Sequence, residues 1–235
     1  MKVVIHQPSY LPWVGLFDRV AQADCYVILD DVQYDKHGWR NRNRIKGPQG
    51  PQWLTVPVLT KGRGLVPCSK ALVNPRIAWA KKHRQAIRSN YGRAPFFDRY
   101  FPAIEALLTR PWQRLIDLDV AASDWLFEVL GQPVKRLYSS SLQIQAPTAS
   151  DRLAVICQRL GATEYIAPDM SKGYLDTAVF DAIGIRVRFH GYVHPVYPQL
   201  YGPFVPYLSI LDLLFNCGDA SLSILTHRAQ HVQTS

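Results

Sequence analysis

The chain contains no stretch of about 18 or more consecutive apolar residues, and Met1-Lys2 runs straight into an apolar segment without a long hydrophobic leader or small-residue cleavage site. Neither a membrane span nor a signal peptide is expected, and the expected compartment is the cytoplasm. Cysteine is sparse: Cys25, Cys68, Cys157 and Cys217 stand far apart, form no CxxC pair and do not cluster with histidine. That spacing argues against a zinc site or a disulfide framework and for reduced thiols, so no metal is assigned. GxGxxG, Walker A, HExxH and a GxSxG nucleophile turn with a triad to follow are all missing, which disfavours a nicotinamide oxidoreductase, a P-loop kinase and a serine hydrolase. No cofactor is assigned. The sharpest absence is of acid. Between Lys36 and Arg93 there are fourteen Lys or Arg and no Asp or Glu, while the remainder of the chain carries thirteen bases and eighteen acids. The formal charge of +9 is therefore regional, with +14 in one segment and −5 elsewhere. A region of one sign concentrates phosphorylated or polyanionic partners in a salt-screened field, although a solvated basic surface has the same composition.

What is present reads as globular. At 235 residues, 48% hydrophobic and 19% charged, the chain can bury a substantial core, most simply as one domain over 1–235. Lys2 to Ile5 and Cys25 to Leu29 are apolar throughout, without alternation, which is the pattern of parallel strands covered on both faces. With a helix over Trp13 to Ala23 between them they form a right-handed, Rossmann-like βαβ start. Residues 1–73 make an N-terminal α/β half with a basic loop, the segment from Trp39 to Pro57 being a long loop that feeds the strand "WLTVPV". Residues 74–131 make a helical block. Its first helix takes Asn74 as cap, Pro75 at the first position, an inward stripe of Ile77, Ala80, Ile87 and Tyr91, and Gly92 in a left-handed C-terminal position. Two more helices carry stripes from Phe97 to Leu108 and from Leu115 to Val129, ended by Gly131. After the polar connector "SSSLQIQAPTASD", residues 132–235 return to alternating helix and strand. The fold class is α/β, a mainly parallel sheet with an inserted helical block.

His6 and Gln7 leave the carboxyl end of the first strand, and Asp30 and Asp31 that of the second, on the edge where open α/β sheets place their ligands. A histidine there is a candidate general base, with a carboxylate orienting its second nitrogen. Asp30 and Asp31 are alternatively ligands for a divalent metal or a sugar hydroxyl. Adjacent strand residues point to opposite faces, so one of the pair is expected in the site, and Asp31 is preferred because it opens the "DVQ" loop. In "WRNRNRIK" an extended chain sets Arg40, Arg42 and Arg44 along one side and Asn41 and Asn43 along the other. Arginine forks match phosphate or carboxylate, and asparagines read sugar hydroxyls or a base edge. Trp39 and Trp53 add stacking surfaces, and Lys81, Lys82, Arg84 and Arg88 line the basic helix. No RNP or zinc-finger pattern accompanies them. The proline-stiffened loop "HPVYPQLYGPFVPYLS" offers aromatic and amide groups such as Tyr197 and Gln199 for a sugar ring. Cys217 lies at a helix carboxyl end, which disfavours a thiolate.

"IHQPSYLPWVGLFDRVAQADCYVILDDVQYDKHGWRNRNRIKGPQGPQWLTVPV", "AWAKKHRQAIRSNYGRAPFF" and "VYPQLYGPFVPYLSILDLLFNCG" together resemble the WbqC-like protein family from end to end. The resemblance implies a place in O-antigen or other surface-polysaccharide and sugar-modification gene sets, and leaves the reaction open. The resulting expectation is a transferase moving an acyl or aminoacyl group onto a nucleotide-linked amino sugar. His6 is its base, Asp31 the orienter or hydroxyl acceptor, and Arg40, Arg42 and Arg44 the diphosphate clamp. Gln7, Tyr10, Trp13 and Gln33 line the pocket. The rivals are a tRNA- or nucleic-acid-dependent transferase or binding protein, and a non-catalytic sugar-binding partner in a biosynthetic complex.

Overall fold

The computed structural model describes residues 1–226 apart from His37, Lys61 and Arg63, so two cations of the basic segment lie outside the described residues. In chain order, β1 (Lys2–His6), α1 (Val14–Ala21) and β2 (Cys25–Ile28) are followed by a hairpin of β3 (Arg42–Gly47) and β4 (Gly50–Thr55). Three helices come next: α2 (Trp79–Tyr91), α3 (Phe97–Thr109) and α4 (Leu115–Val129). Then β5 (Lys135–Tyr138), α5 (Ala149–Arg159), β6 (Glu164–Ala167), α6 (Ala178–Asp181) and β7 (Arg186–Phe189) alternate, and α7 (Ile210–Cys217) and α8 (Ser221–Leu225) follow. No helix among the described residues is long and apolar enough to cross a membrane.

Five strands form one parallel sheet in the order β5-β2-β1-β6-β7. Strand residues alternate between two cores. Val4, Tyr26, Ile28 and Ile166 face the side of α1 and the helices α2–α4, whereas Val3, Ile5, Cys25, Val27 and Tyr165 face the side of α5 and α6. The chain leaves β1 for β2 on one side and returns to β6 on the other. This reversal of strand order beside β1 opens a crevice at the carboxyl edge, with His6 at its floor. His6 shares the face of Val4 and so looks toward α1.

Three local expectations are corrected. The Trp39–Pro57 segment is mostly a hairpin, in which Asn43 and Ile45 turn inward and Arg42 and Arg44 outward, with Arg44 paired across the ladder to Trp53. The first helix of the block begins at Trp79 instead of Asn74, leaving Ile77 44% exposed, and Gly92 has an ordinary right-handed φ of −59°. Third, β5 was not anticipated in the sequence. "KRLY" is a four-residue edge strand without an apolar run, formed because β2 has a free edge to pair.

Candidate active site

His6 sits between two cationic side chains. Arg19 of α1 donates from Nη2 to His6 Nδ1 at 3.1 Å. The guanidinium keeps its protons, so Nδ1 carries the lone pair and the imidazole hydrogen is on Nε2, facing Ser9 Oγ at 3.3 Å. The Ser9 hydroxyl donates onward to the Gln7 carbonyl at 3.3 Å. Arg40 closes the other side, donating from Nη1 to the Gln7 carbonyl and Ser9 Oγ, both at 3.4 Å. Burial first, then the charges of Arg19 and Arg40, hold the His6 pKa well below the ordinary imidazole value. His6 is therefore neutral with both ring nitrogens engaged. The carboxylate expected behind His6 is not there: Asp31 is bonded to Arg152 and Ser139, and the ring meets Arg19 and Ser9 instead.

The cations themselves are under-engaged. Arg19 is 3% exposed, and neither it nor Arg40 forms an ion pair with a described residue. Arg19 Nη1, Arg40 Nε and Arg44 Nε are buried without a hydrogen-bond partner. Buried guanidinium hydrogens left open are costly, and in a folded protein such groups face a ligand or water.

Two adjoining chambers meet at His6, Trp13, Met170 and Tyr207. The outer one, of about 330 Å³, is walled by Trp39, Arg40, Asn43 and Arg44 together with Ser9 and Pro12. The Arg44 guanidinium lies 5.5 Å from the Trp39 ring and donates to the Tyr207 carbonyl at 3.4 Å. Tyr207 holds a left-handed φ of 59°, a conformation that a non-glycine residue keeps only under the constraint of its surroundings. The inner chamber, of about 280 Å³, adds Gly15, Arg19, Asp169, His190 and Tyr192. Trp13 lies across Gly15 so closely that a Cβ there would come within 2.1 Å of the indole, so only glycine lets the indole lie flat between the chambers.

The carboxylate-backed imidazole expected in the sequence does exist, with other residues. His190, just past β7, meets Asp18 Oδ2 through Nε2 at 2.6 Å, and Gln22 Nε2 donates to the same carboxylate oxygen at 2.8 Å. His190 is stacked on Tyr192 with the rings 5.2 Å apart and 11° from parallel, and its main-chain amide is fixed to Ala167 at 2.9 Å. With Nε2–H pointing at the carboxylate, Nδ1 carries the ring's lone pair. The signal for His190 was the one used for His6, a histidine directly after a strand, here "RVRFHG". Asp18 and Arg19 were marked by "LFDRV", a charged pair inside an apolar helix whose residues from Val14 to Val20 are all buried.

Of the other expected site residues, Trp13, Arg40, Asn43 and Arg44 line the outer chamber. Arg42 donates to the Gly38 carbonyl and lies 4.8 Å from the Trp53 ring, outside the lining of either chamber. Asn41 and Asn43 donate through Nδ2 to the Val56 and Leu11 carbonyls, which holds the hairpin in place. Tyr10 is fully buried and bonded to His83 Nδ1 at 2.9 Å. Gln33 is exposed and bridges Pro67 through the backbone, and Gln7 enters the site through its carbonyl. Tyr197 and Gln199 donate to Asp212, while Lys46 donates to Gln199 and Tyr91 completes the carboxylate's partners. That buried network ties the C-terminal loop to the hairpin.

Asp31 is paired with Arg152 of α5 and accepts from Ser139 Oγ. Asp30 accepts from Ser140 N at 2.9 Å and from Ser140 Oγ at 2.7 Å, and its main-chain amide donates to Ser139 Oγ at 3.1 Å. Both acids meet Ser139 because β2 ends at Ile28, which leaves no strand alternation to separate them. On the basic helix, Arg84 and Arg88 are paired with Glu105 of α3, while Lys81 and Lys82 are exposed. The Cys217 thiol is pushed up to about 11, mainly by burial, which leaves it protonated and unsuited to attack.

The model of the WbqC-like protein family matches residues 7–224 of the chain. An uncharacterized protein of Mycobacterium tuberculosis (strain H37Rv) is 40% identical over 219 residues, covering 92% of this chain and 94% of its own. No solved structure matches the chain.

Proposed function

As the chain belongs to the WbqC-like protein family, we propose that it is a group-transfer enzyme of sugar or surface-polysaccharide assembly, moving an acyl or aminoacyl group onto a nucleotide-linked amino sugar. The observation that carries this reading is the pairing of chambers: an arginine- and tryptophan-walled mouth opens beside a carboxylate-backed histidine, at the reversal point of a parallel sheet. Arg40 and Arg44 hold the phosphates, and Trp13, Trp39 and Tyr207 give flat apolar faces for a base or a sugar ring. The acceptor amine attacks the carbonyl carbon of an activated acyl ester or thioester, and His190 takes the amine proton through Nδ1. A C–N bond forms, the C–O or C–S bond breaks, and His190 returns the proton to the departing oxygen or sulfur. Asp18 keeps the ring in the tautomer that this needs.

A thermal-shift panel of nucleotide-diphosphate sugars, free nucleotides and tRNA tests the reading. A ligand at about a hundred times its Kd raises stability by about 2.7 kcal/mol. The nucleotide sugars are expected to raise the melting midpoint, with the shift reduced in Arg40→Gln and Arg44→Gln. No shift from any nucleotide sugar, or shifts unchanged in both variants, overturns it. A preference for tRNA that collapses with salt and with neutralisation of Lys81 and Lys82 moves the assignment to the polyanion-dependent reading.

A further inference from the structure

The inner chamber is lined by a buried cation that has no ion-pair partner among the described residues, the nearest acid of the lining, Asp169, acting on it only at a distance. Arg19 is 3% exposed, its Nη2 is bonded to His6, and its Nη1 has no partner. His6 is neutral and supplies no negative charge. Asp18, the neighbouring acid in sequence, is bonded to His190 and Gln22. Asp169, the acid that shares the chamber lining, is paired with Lys172 at 2.8 Å and accepts from the Gly191 and Tyr192 amides at 2.8 and 3.2 Å. A guanidinium taken out of water without a carboxylate is expensive to keep, and a ligand that brings its own negative oxygen removes the cost.

We infer that the inner chamber is a subsite for a small oxyanion, the carboxylate or phosphate end of a second ligand, held by the Arg19 guanidinium beside His190. This deepens the reading given above, since a two-substrate transfer needs a place for the donor apart from the nucleotide-binding mouth. His6 fixes the guanidinium by occupying Nη2, which holds the group in one orientation in the chamber wall. The chamber of about 280 Å³ has room for the anion and a short attached group.

Titrating the wild-type protein with inorganic phosphate and, separately, with acetate while following tryptophan fluorescence tests this, because Trp13 lines the chamber. Saturable binding of at least one anion is expected, weakened about tenfold or more in Arg19→Gln and held within about twofold in Lys81→Gln, a change on the exposed basic helix. The stronger of the two anions identifies the ligand end as carboxylate or phosphate. No saturable response to either, or equal affinity in Arg19→Gln, overturns the subsite. Should Arg19→Gln fail to fold, selenate soaked into wild-type crystals decides: an anomalous peak within hydrogen-bond distance of Arg19 supports the subsite, and a peak only against Arg40 or Arg44, or none, overturns it. The two readings fail separately. Nucleotide sugars without effect alongside an Arg19-dependent anion sink the proposed function alone, and the reverse result sinks the subsite alone.

Discussion

The carboxyl edge of one sheet ends in two polar clusters that look alike in sequence and differ in what their groups are left to do. Over β2 and β5, Asp30 and Asp31 are surrounded by donors from the Ser139–Leu142 turn and Arg152, and the carboxylates are fully engaged. Over β1 and β7, the guanidinium hydrogens of Arg19 and Arg40 remain open and a carboxylate-backed imidazole stands beside empty space. Both clusters sit where open α/β folds place ligands. A strand end is thus a place where a site can form, and the two differ in charge pairing: Asp31 has its cation in Arg152, whereas Arg19 and Arg40 have no ion-pair partner among the described residues.

The strongest way to break this comparison is at His190. His190→Ala is expected to lower the rate of group transfer by about a hundred- to ten-thousandfold, the ordinary range for general acid–base catalysis, with nucleotide-sugar affinity held. Asp18→Asn should lower the rate too, since an amide can donate back to Nε2 and favour the wrong tautomer. Steady-state kinetics on both variants check this. A full rate in His190→Ala removes the proton acceptor from this end of the edge.

How legible all this was depends on the kind of signal. The βαβ start, the parallel sheet and the helical block were readable because each rests on a run or stripe that repeats within a short window. Strand β5 was not, because an edge strand of four residues is defined by the free edge of β2 and not by its own pattern. That single omission misplaced Asp30 and Asp31, since the serine turn that captures them follows β5 directly. The arginines of the mouth were visible as local alternation. The pairing of residue 18 with residue 190 was not, because it depends on β7 lying on the far side of β6 from β1.

Next in size comes a histidine whose partners are complete. His83 is buried on α2, accepts from the Tyr10 hydroxyl and is drawn down to about 4 by burial. Its folded pKa is below the unfolded value of about 6.5, so the unfolded chain binds more protons between those limits and stability falls as pH drops through that window. The full loss from His83 is on the order of 3 kcal/mol. Its removal in His83→Gln should flatten the slope of unfolding free energy against pH, measured by urea titration from neutral to acid pH. His6 is shifted the same way and keeps part of the slope. An unchanged slope would show that His83 is not held neutral.

At the engaged end of the edge, Asp30→Ala strands the Ser140 amide and hydroxyl and is expected to cost about 2 kcal/mol in denaturant unfolding, with transfer activity per folded molecule unchanged. An activity loss exceeding the loss of folded protein would return this cluster to the site and erase the distinction between the two ends.

The smallest effect probes where the mouth stops. Trp39 and Trp53 are neighbours, with ring centres 5.0 Å apart, exposed to similar extents, and both reached by Arg44. Trp39 lines the outer chamber and Trp53 does not. Trp53→Ala removes the ring over which Arg42 lies, a loss of about 0.5–1 kcal/mol in stability for an exposed cation–π pair. Nucleotide-sugar affinity should change little in Trp53→Ala and fall clearly in Trp39→Ala, read by calorimetric titration of both variants. Equal losses would mean that the ligand extends along the Arg/Trp ladder on the outer face of the hairpin, and the recognition surface would then be larger than the two chambers beneath it.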